Sequence, residues 1–410
     1  MNKRNLSLYI HVPFCVQKCR YCDFYSAAAG EEEKRAYTAL LCREIKSWGE
    51  RLRKDYKLYT VFLGGGTPSC LAPECLVRIG QTIRESFECS DLIEYTTEAN
   101  PGTVTKEHLT AWQQMGINRV SLGLQSAVNE ELSMLGRIHT YEQFLETYHQ
   151  VRESGIDNIN VDVMAAIPGQ TMESYQKTLR RIVKLQPEHI SSYSLIVEPG
   201  TVFGDWEENG TLNRPNEETD RAMYQWTKWF LDENGYHRYE VSNYAHKDME
   251  CVHNCVYWTG GEYLGVGVNA SSYLGGYRFQ VPLQAKQYEA YIKKLEESVS
   301  IDAVNKDGIL ECMQDVEKVE RTAQMEEFMF LGLRMIQGIS KQEFSSRFGV
   351  DIMSVYGPVI QRYEQAHLLE QTRDGYLCLT EHGIDVSNQI LADFLIDTES
   401  VSYTHLRAHE

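Results

Sequence analysis

Three cysteines lie in one short stretch, His11-Val12-Pro13-Phe14-Cys15-Val16-Gln17-Lys18-Cys19-Arg20-Tyr21-Cys22-Asp23-Phe24. Their spacing is CxxxCxxC, and soft thiolates held so compactly suit iron–sulfur ligation. A four-iron cubane takes four ligands, of which Cys15, Cys19 and Cys22 supply three. One iron is then left open, which suits a cluster that binds a small molecule better than one that only carries electrons. Zinc is the competing reading. It prefers four ligands, more often from two separated CxxC pairs, and no matching pair follows downstream. The spacing therefore favours a 4Fe–4S cluster.

The loop resembles that of the radical S-adenosylmethionine (SAM) superfamily. The resemblance implies that the amino and carboxylate groups of SAM occupy the open iron, and that an electron from the cluster cleaves the adjacent sulfonium. Downstream stands Gly64-Gly65-Gly66-Thr67-Pro68. Glycines let the backbone approach a ligand closely and leave its N–H groups free, while Pro68 stiffens the exit. Such a turn alone often marks only tight packing. One βα unit after a cluster loop, it is expected to hold the SAM amino group. Glu98, in Thr97-Glu98-Ala99-Asn100-Pro101, can accept hydrogen bonds from ribose hydroxyls or an ammonium. Standing alone it would read as a solvated acid at a strand end. Gln125 sits in Ser121-Leu122-Gly123-Leu124-Gln125-Ser126, and Arg137, twelve residues beyond, can grip a carboxylate with its planar guanidinium. Asp162 lies inside the apolar run Asn160-Val161-Asp162-Val163-Met164, where a buried carboxylate needs a partner.

The run Tyr9-Ile10-His11-Val12-Pro13-Phe14-Cys15, the glycine turn, the Glu98, Gln125 and Arg137 set, and Pro168-Gly169-Gln170 are together similar to the oxygen-independent coproporphyrinogen III oxidase group. The similarity covers most of the chain. It implies that Tyr9, Gly65 and Glu98 contact cluster-bound SAM, and that Gly66, Thr67, Gln125, Arg137 and Asp162 surround a second SAM. Two features depart from the oxidase itself. It has a further cysteine two residues after the third ligand, where this chain has Phe24. In addition, His253-Asn254-Cys255-Val256-Tyr257-Trp258 fits HNxxYW, a motif of the HemW branch of haem chaperones. That resemblance implies a haem site at His253, Asn254, Tyr257 and Trp258. His253 can ligate iron, and the two aromatic rings offer flat apolar faces to a macrocycle. Without it, the same residues read as packing at the barrel mouth, with His253 making only a hydrogen bond. Cys251 and Cys255 flank His253, but two cysteines and a histidine within five residues lack the span and fourth ligand that zinc needs. Ala165-Ala166 departs from a glycine that commonly stands two positions before the proline, which touches only local loop geometry.

Alternating strands and helices must position these residues. Six buried strands are predicted at residues 6–11, 59–63, 93–98, 119–123, 159–164 and 190–195. Between them, Tyr37, Leu40, Leu41, Ile45, Trp48 and Leu52 share one helical face, as do Phe144, Leu145, Tyr148 and Val151, and then Tyr175, Leu179 and Ile182. Repeated βα units imply parallel strands with right-handed crossovers. Barrel enzymes keep reactive residues at the C-terminal ends of such strands, and every predicted strand ends near a candidate. The fold class is α/β, a partial (β/α)6 TIM-like barrel of the radical SAM type, although periodicity alone does not separate it from a doubly wound sheet. The barrel core is assigned to 1–235, ending on the polar stretch 198–216 and a helix at 217–233. A flanking region at 236–300 carries the HNxxYW motif and reads as irregular and aromatic over 236–279. A composition shift near 302–307 opens a smaller, mostly helical C-terminal domain at 301–400. There, helices at 340–348 and 354–365 followed by a strand at 376–380 resemble a winged helix. The last ten residues, 401–410 (VSYTHLRAHE), read as translated adapter sequence, a non-native tail.

Composition bounds the function. A formal charge of -18 and a pI of about 5.2 oppose general binding to nucleic acid or an anionic membrane. No recognition helix in the winged-helix-like part is basic, so that part reads as a packing or lid module. No apolar run approaches a membrane span, and peripheral membrane contact stays open. Eleven cysteines, an odd number, and no signal-like start point to reduced thiols in the cytoplasm. Three readings follow. The first is a radical SAM protein that binds haem, delivers it to haem-requiring respiratory or other haem proteins, draws on an electron donor, and lacks coproporphyrinogen III dehydrogenase activity. The second is the oxidase, which uses a 5′-deoxyadenosyl radical to decarboxylate propionates oxidatively. The third, a nucleic-acid-binding regulator, is disfavoured by charge.

Overall fold

The computed structural model describes residues 3–297 and 310–396, and in its strands successive residues face opposite environments. Along β1 (Arg4–Val12), Leu6, Leu8, Ile10 and Val12 are fully buried and alternate with Ser7, Tyr9 and His11. The same parity sets Val61 and Leu63 against Thr60 and Phe62 in β2 (Tyr56–Gly65), and Tyr95, Thr97 and Ala99 against Glu94, Thr96 and Glu98 in β3 (Glu94–Ala99). It recurs in β4 (Arg119–Gln125), β5 (Asn158–Ala165) and β6 (His189–Ser194), where Arg119, Ser121, Asn160, Asp162, His189 and Ser191 occupy the polar positions. The apolar set joins one large core with α1 (Glu31–Leu52), α2 (Pro73–Ser86), α3 (Lys106–Met115), α5 (Tyr141–Glu153) and α6 (Met172–Val183). The polar set lines the inside. Period two thus divides each strand between a greasy outer face and a chemical inner one.

The six strands pair in parallel and in sequence order, β1 to β6, so the doubly wound alternative is set aside. Among the described residues β1 and β6 do not pair, which leaves the barrel partial as expected. The short α4 (Asn129–Leu135) follows β4, and α7 (Val202–Glu208) and α8 (Glu217–Glu233) follow β6.

The stretch 236–279, expected to be irregular, is ordered. β7 (His237–Arg238) and β8 (Asn243–Ala245) extend the sheet beyond β6. After α9 (Val252–Trp258), β9 (Tyr263–Val266) runs parallel to the outer side of β1. β10 (Ser271–Leu274) and β11 (Tyr277–Gln280) form a hairpin, and beyond α10 (Ala285–Glu297), β12 (Gln314–Lys318) completes a twelve-stranded sheet. Strands of two to five residues carry too few alternations for a periodicity to register.

A second core gathers Phe328, Phe344, Phe348, Tyr356 and Phe394. It is built from α11 (Arg321–Gly332), α12 (Lys341–Phe348), α13 (Ile352–Gln365), α14 (Glu381–Asp385) and α15 (Ser387–Ala392). A small sheet of β13 (Ile339–Ser340), β14 (Leu369–Gln371) and β15 (Tyr376–Leu379) lies beside them. Two helices followed by a hairpin give the winged-helix order. β12 pairs with β11, so this strand belongs to the large sheet. The shift at 302–307 and the tail at 401–410 lie outside the described residues.

One buried acid fastens the outer layer. Glu44 on α1 is fully buried and accepts hydrogen bonds from Gly267 N–H (2.8 Å), Tyr288 O–H (2.7 Å) and Tyr291 O–H (3.0 Å). Burial pushes its carboxyl up to about 7, and the three donors only partly offset that. The folded state therefore binds the proton more tightly than the unfolded chain does. Its stabilising contribution is complete below the ordinary carboxylate range and fades as pH rises through about 7. In denaturant titrations, wild-type stability should fall between about pH 5 and about pH 8, and Glu44→Gln should flatten that slope. Glu44→Ala, which strands three donors, should cost about 3 kcal/mol.

Candidate metal centre

The cysteine loop leaves β1 at the C-terminal mouth of the barrel and is stitched to the exit of β2. Gly66 N–H donates to Val12 O (2.8 Å), Thr67 N–H to Phe14 O (2.7 Å) and Cys15 N–H to Ala27 O (3.1 Å). A Cβ on Gly65 would lie 2.5 Å from His11 Nδ1, and one on Gly66 would lie 2.7 Å from Phe14 O. The glycines are thus demanded by strand–loop packing. The expectation of free N–H groups is corrected, since Gly65 N–H donates to Glu98 Oε2 at 3.1 Å and the next two bind the loop. These bonds extend the β1–β2 ladder past the strand ends. A bound ammonium, being donor-only, needs carbonyl or carboxylate oxygens in any case.

Two of the cysteine sulfurs are joined by a chain of side chains drawn from three strand exits. Asn100 Nδ2 donates to Thr67 Oγ1 (2.7 Å), and that hydroxyl lies 3.4 Å from Cys15 Sγ, where its proton can point at a thiolate. Asn100 Oδ1 accepts from Arg137 Nη2 (2.6 Å), and Arg137 Nη1 donates to Cys19 Sγ (3.5 Å). Burial opposes the charge on Arg137, yet Tyr21 and Cys19 hold it above the usual guanidinium range. Burial also pushes the Cys22 thiol up to about 11, so the metal-free loop keeps that proton. Donors aimed at two sulfurs and a permanent cation suit thiolate ligands of an iron–sulfur cluster. Among the described residues no three His, Cys, Asp or Glu side chains converge to hold a single ion.

The remaining candidates line the same mouth. Burial and the charge of Asp162 push the Glu98 carboxyl up to about 8, partly offset by the Gly65 N–H. Tyr9 O–H and His11 Nδ1 lie 3.0 Å apart, and His11 Nε2 is 3.0 Å from Tyr25 O. Burial, then Glu98, raises the Tyr9 phenol well above its ordinary range. Asp162 finds neutral partners instead of a cation, accepting from Asn160 Nδ2 (2.7 Å) and Ser121 Oγ (3.2 Å). Gln125, at φ 73, accepts from Tyr193 O–H (2.9 Å). Sequence reasoning assigned no role to Asn100, which joins Thr67 to Arg137, or to Tyr193. A neutral amide has no spacing signature.

The HNxxYW segment is not at this mouth. It forms α9 at the opposite end of the barrel, where Glu94 Oε2 accepts from Val252 N–H (2.8 Å) and Glu94 Oε1 from His253 N–H (3.0 Å). His253 is 1% exposed; its Nδ1 lies 2.8 Å from Thr60 Oγ1 and its Nε2 lies 2.8 Å from Tyr257 O–H. Both ring nitrogens are occupied, and burial, then Arg119, lowers its pKa to about 3. Trp258 is buried beneath the C-terminal unit, with the Arg334 guanidinium 4.8 Å from its ring centroid. In this arrangement His253 and Trp258 are buried and the segment closes the barrel floor. The reason is physical, because an inward-facing polar lumen needs a polar plug.

Residues 9–182 match the model of the radical SAM superfamily, and residues 319–386 match that of the HemN C-terminal domain. The heme chaperone HemW of Lactococcus lactis is 34% identical over 391 residues, covering 95% of this chain and 97% of that protein. The HemW of Bacillus subtilis is 33% identical, covering 95% and 99%. The chain belongs to the HemW family. Its fold is also that of the radical SAM enzyme coproporphyrinogen III oxidase (HemN) of Escherichia coli, with a TM-score of 0.80, 21% identity, and coverage of 96% of this chain and 91% of that one.

This HemW family member keeps the cluster loop but carries Phe24, 57% exposed, after the third cysteine. Its departure at Ala166 now has a structural meaning. Ala166 is buried with φ 56, in the left-handed region that glycine enters without strain. Ala166→Gly should raise stability by about 0.5–1 kcal/mol, the relieved strain being partly cancelled by a more flexible unfolded chain. Denaturant melts read that gain directly, and a loss would show that the Ala166 methyl packs more favourably than its backbone is strained.

Proposed function

We propose that this chain holds a 4Fe–4S cluster on Cys15, Cys19 and Cys22, binds SAM beside it, and takes up haem for delivery to haem-requiring proteins. Membership of the radical SAM superfamily implies the cluster and SAM. Haem delivery rests on full-length relatives that are named heme chaperones. The observation that carries the site is the hydrogen-bonded chain from Cys15 through Thr67, Asn100 and Arg137 to Cys19. The free cysteines support a cytoplasmic location, and no helix among the described residues is long and apolar enough to cross a membrane.

Tyr9, Gly65 and Glu98 are the residues proposed to hold SAM next to the cluster. Gly66, Thr67, Gln125, Arg137 and Asp162 form the wall where a second SAM would sit. Bound there, SAM supplies a sulfonium that a single electron can cleave. The chain's own contribution is orientation and charge. Glu98 is the acceptor for an ammonium or ribose hydroxyl, and an arriving cation favours its ionised form. With its free carboxyl near 8, affinity for SAM should climb as pH rises toward about 8 and then level off. Glu98→Gln should lose both affinity and this pH dependence. Equilibrium dialysis of SAM across pH measures it, and a pH-independent wild type would remove Glu98 from the site.

Haem contact is proposed at His253, Asn254, Tyr257 and Trp258, and ligation of its iron by His253, whose two ring nitrogens are engaged, requires α9 to leave the barrel floor. In the closed arrangement His253→Ala should lower thermal stability while keeping haem affinity within about twofold and the Soret position unchanged. A displaced Soret band in that variant would instead establish His253 as an iron ligand in an opened state. An anaerobic coproporphyrinogen III assay should give no vinyl product, and robust conversion would overturn the chaperone reading.

A further inference from the structure

We infer that Arg20 is a positioning residue for the cluster loop, setting Cys19 against Arg137 and holding the turn from Cys19 to Cys22. The inference rests on the proposed cluster role of these cysteines. Arg20 stands between them and is held through its backbone and its guanidinium. Its N–H donates to Leu135 O (3.0 Å), and its own carbonyl accepts from Phe203 N–H (3.0 Å). Its guanidinium Nη1 donates to Met134 O (2.9 Å) and Ser133 O (3.2 Å), the last carbonyls of α4. The guanidinium carbon lies 5.5 Å from the Trp206 ring centroid on α7. One residue thus ties the loop to α4 and to α7.

The geometry at α4 gives this tie its consequence. α4 ends at Gly136 in the left-handed conformation (φ 75), and a Cβ there would come within 3.2 Å of Arg20 Cγ. The next residue is Arg137, whose guanidinium donates to Cys19 Sγ. Gln17 Nε2 adds a second strap to Gly136 O at 3.2 Å. The cation at the C-terminus of α4 also opposes the partial negative charge of those carbonyls. A seven-residue helix has little stability of its own, so its end is placed by what grips it. Arg20 grips it from the loop side, and Arg137 then returns to the loop from the helix side. Cys15 has holds of its own, its N–H on Ala27 O and its sulfur beside the Thr67 hydroxyl, and meets Arg137 only at the far end of the Thr67–Asn100 chain.

The test reads the cluster-free protein, so it does not depend on cofactor loading. Timed alkylation with iodoacetamide, resolved by peptide mass spectrometry, gives a rate for each cysteine. Arg20→Ala should speed modification of Cys19 and Cys22 by about five- to tenfold, as expected when hydrogen bonds to the helix end are lost, with Cys15 changing less than about twofold. Arg20→Lys, which keeps charge and one donor, should recover part of the protection. Trp206→Ala, which removes only the stacking face, should give a smaller shift in the same direction. Rates equal to wild type at Cys19 and Cys22, or a uniform rise that includes distant Cys89, would overturn the inference. Iron and sulfide content after anaerobic reconstitution of the wild type separates failure of the cluster assignment from failure of the positioning role.

Discussion

Thiolate charge at a half-buried barrel mouth is the constraint around which this structure is arranged. Cys22 alone shows the difficulty, since burial pushes its thiol up to about 11 before any metal arrives. Arg137 is the chain's compensating charge, its guanidinium held above its usual range despite its own desolvation. Its placement depends on α4, and α4 on a buried junction. Glu131 Oε2 accepts from Ser126 Oγ (2.6 Å) and from Gln170 Nε2 (3.0 Å). Gln170 belongs to the Pro168-Gly169-Gln170 turn after β5, so that turn anchors the helix that carries Arg137 to the cysteines. A motif well away from the loop in sequence is thereby one hydrogen-bonded step behind it.

The second constraint is the polar lumen that the strand alternation creates. At the mouth its groups face the candidate cofactor site. At the floor they have to satisfy one another, and α9 lets them. Glu94 caps the helix start, His253 spans Thr60 and Tyr257, and the Phe62 ring lies 5.2 Å from His253 and 6.3 Å from Tyr9. β2 therefore carries Thr60 at the floor and Gly65 at the mouth on one rigid element. The C-terminal unit braces the plug from outside, with Arg334 over Trp258 and Arg347 donating to Gly260 O (3.2 Å).

What the sequence made legible follows from where its signals are local. The six parallel strands fell within a few residues of their observed bounds because each pairs a buried apolar face with a length of six to ten residues. The cysteine spacing and the glycine run are contiguous, so the mouth was visible as well. The Cys15-to-Cys19 chain was not, because Thr67, Asn100 and Arg137 meet only after three crossovers close. Free glycine N–H groups were expected because composition cannot reveal that a strand ladder continues past its last apolar residue. The floor was missed for another reason. An HNxxYW run at helical spacing is compatible with a ligand site or a plug, and its partners at the floor, Glu94 and Thr60, lie far away in sequence.

That ambiguity bears on how a motif can mark a branch of a family. A residue set that closes a barrel and seats a second domain constrains function as firmly as one that touches a ligand. For His253 to reach an iron, α9 must give up two buried side-chain hydrogen bonds and the Glu94 cap, about 1–3 kcal/mol for each polar group left unsatisfied. A ligand drives such an opening only by its preference for the open state, and several kcal/mol of preference is needed to populate it almost fully. The closed floor is thus the form that any haem-binding arrangement has to compete with. Because the same helix carries Trp258 against the C-terminal unit, opening it would loosen that contact too, and the two ends of the molecule would respond together.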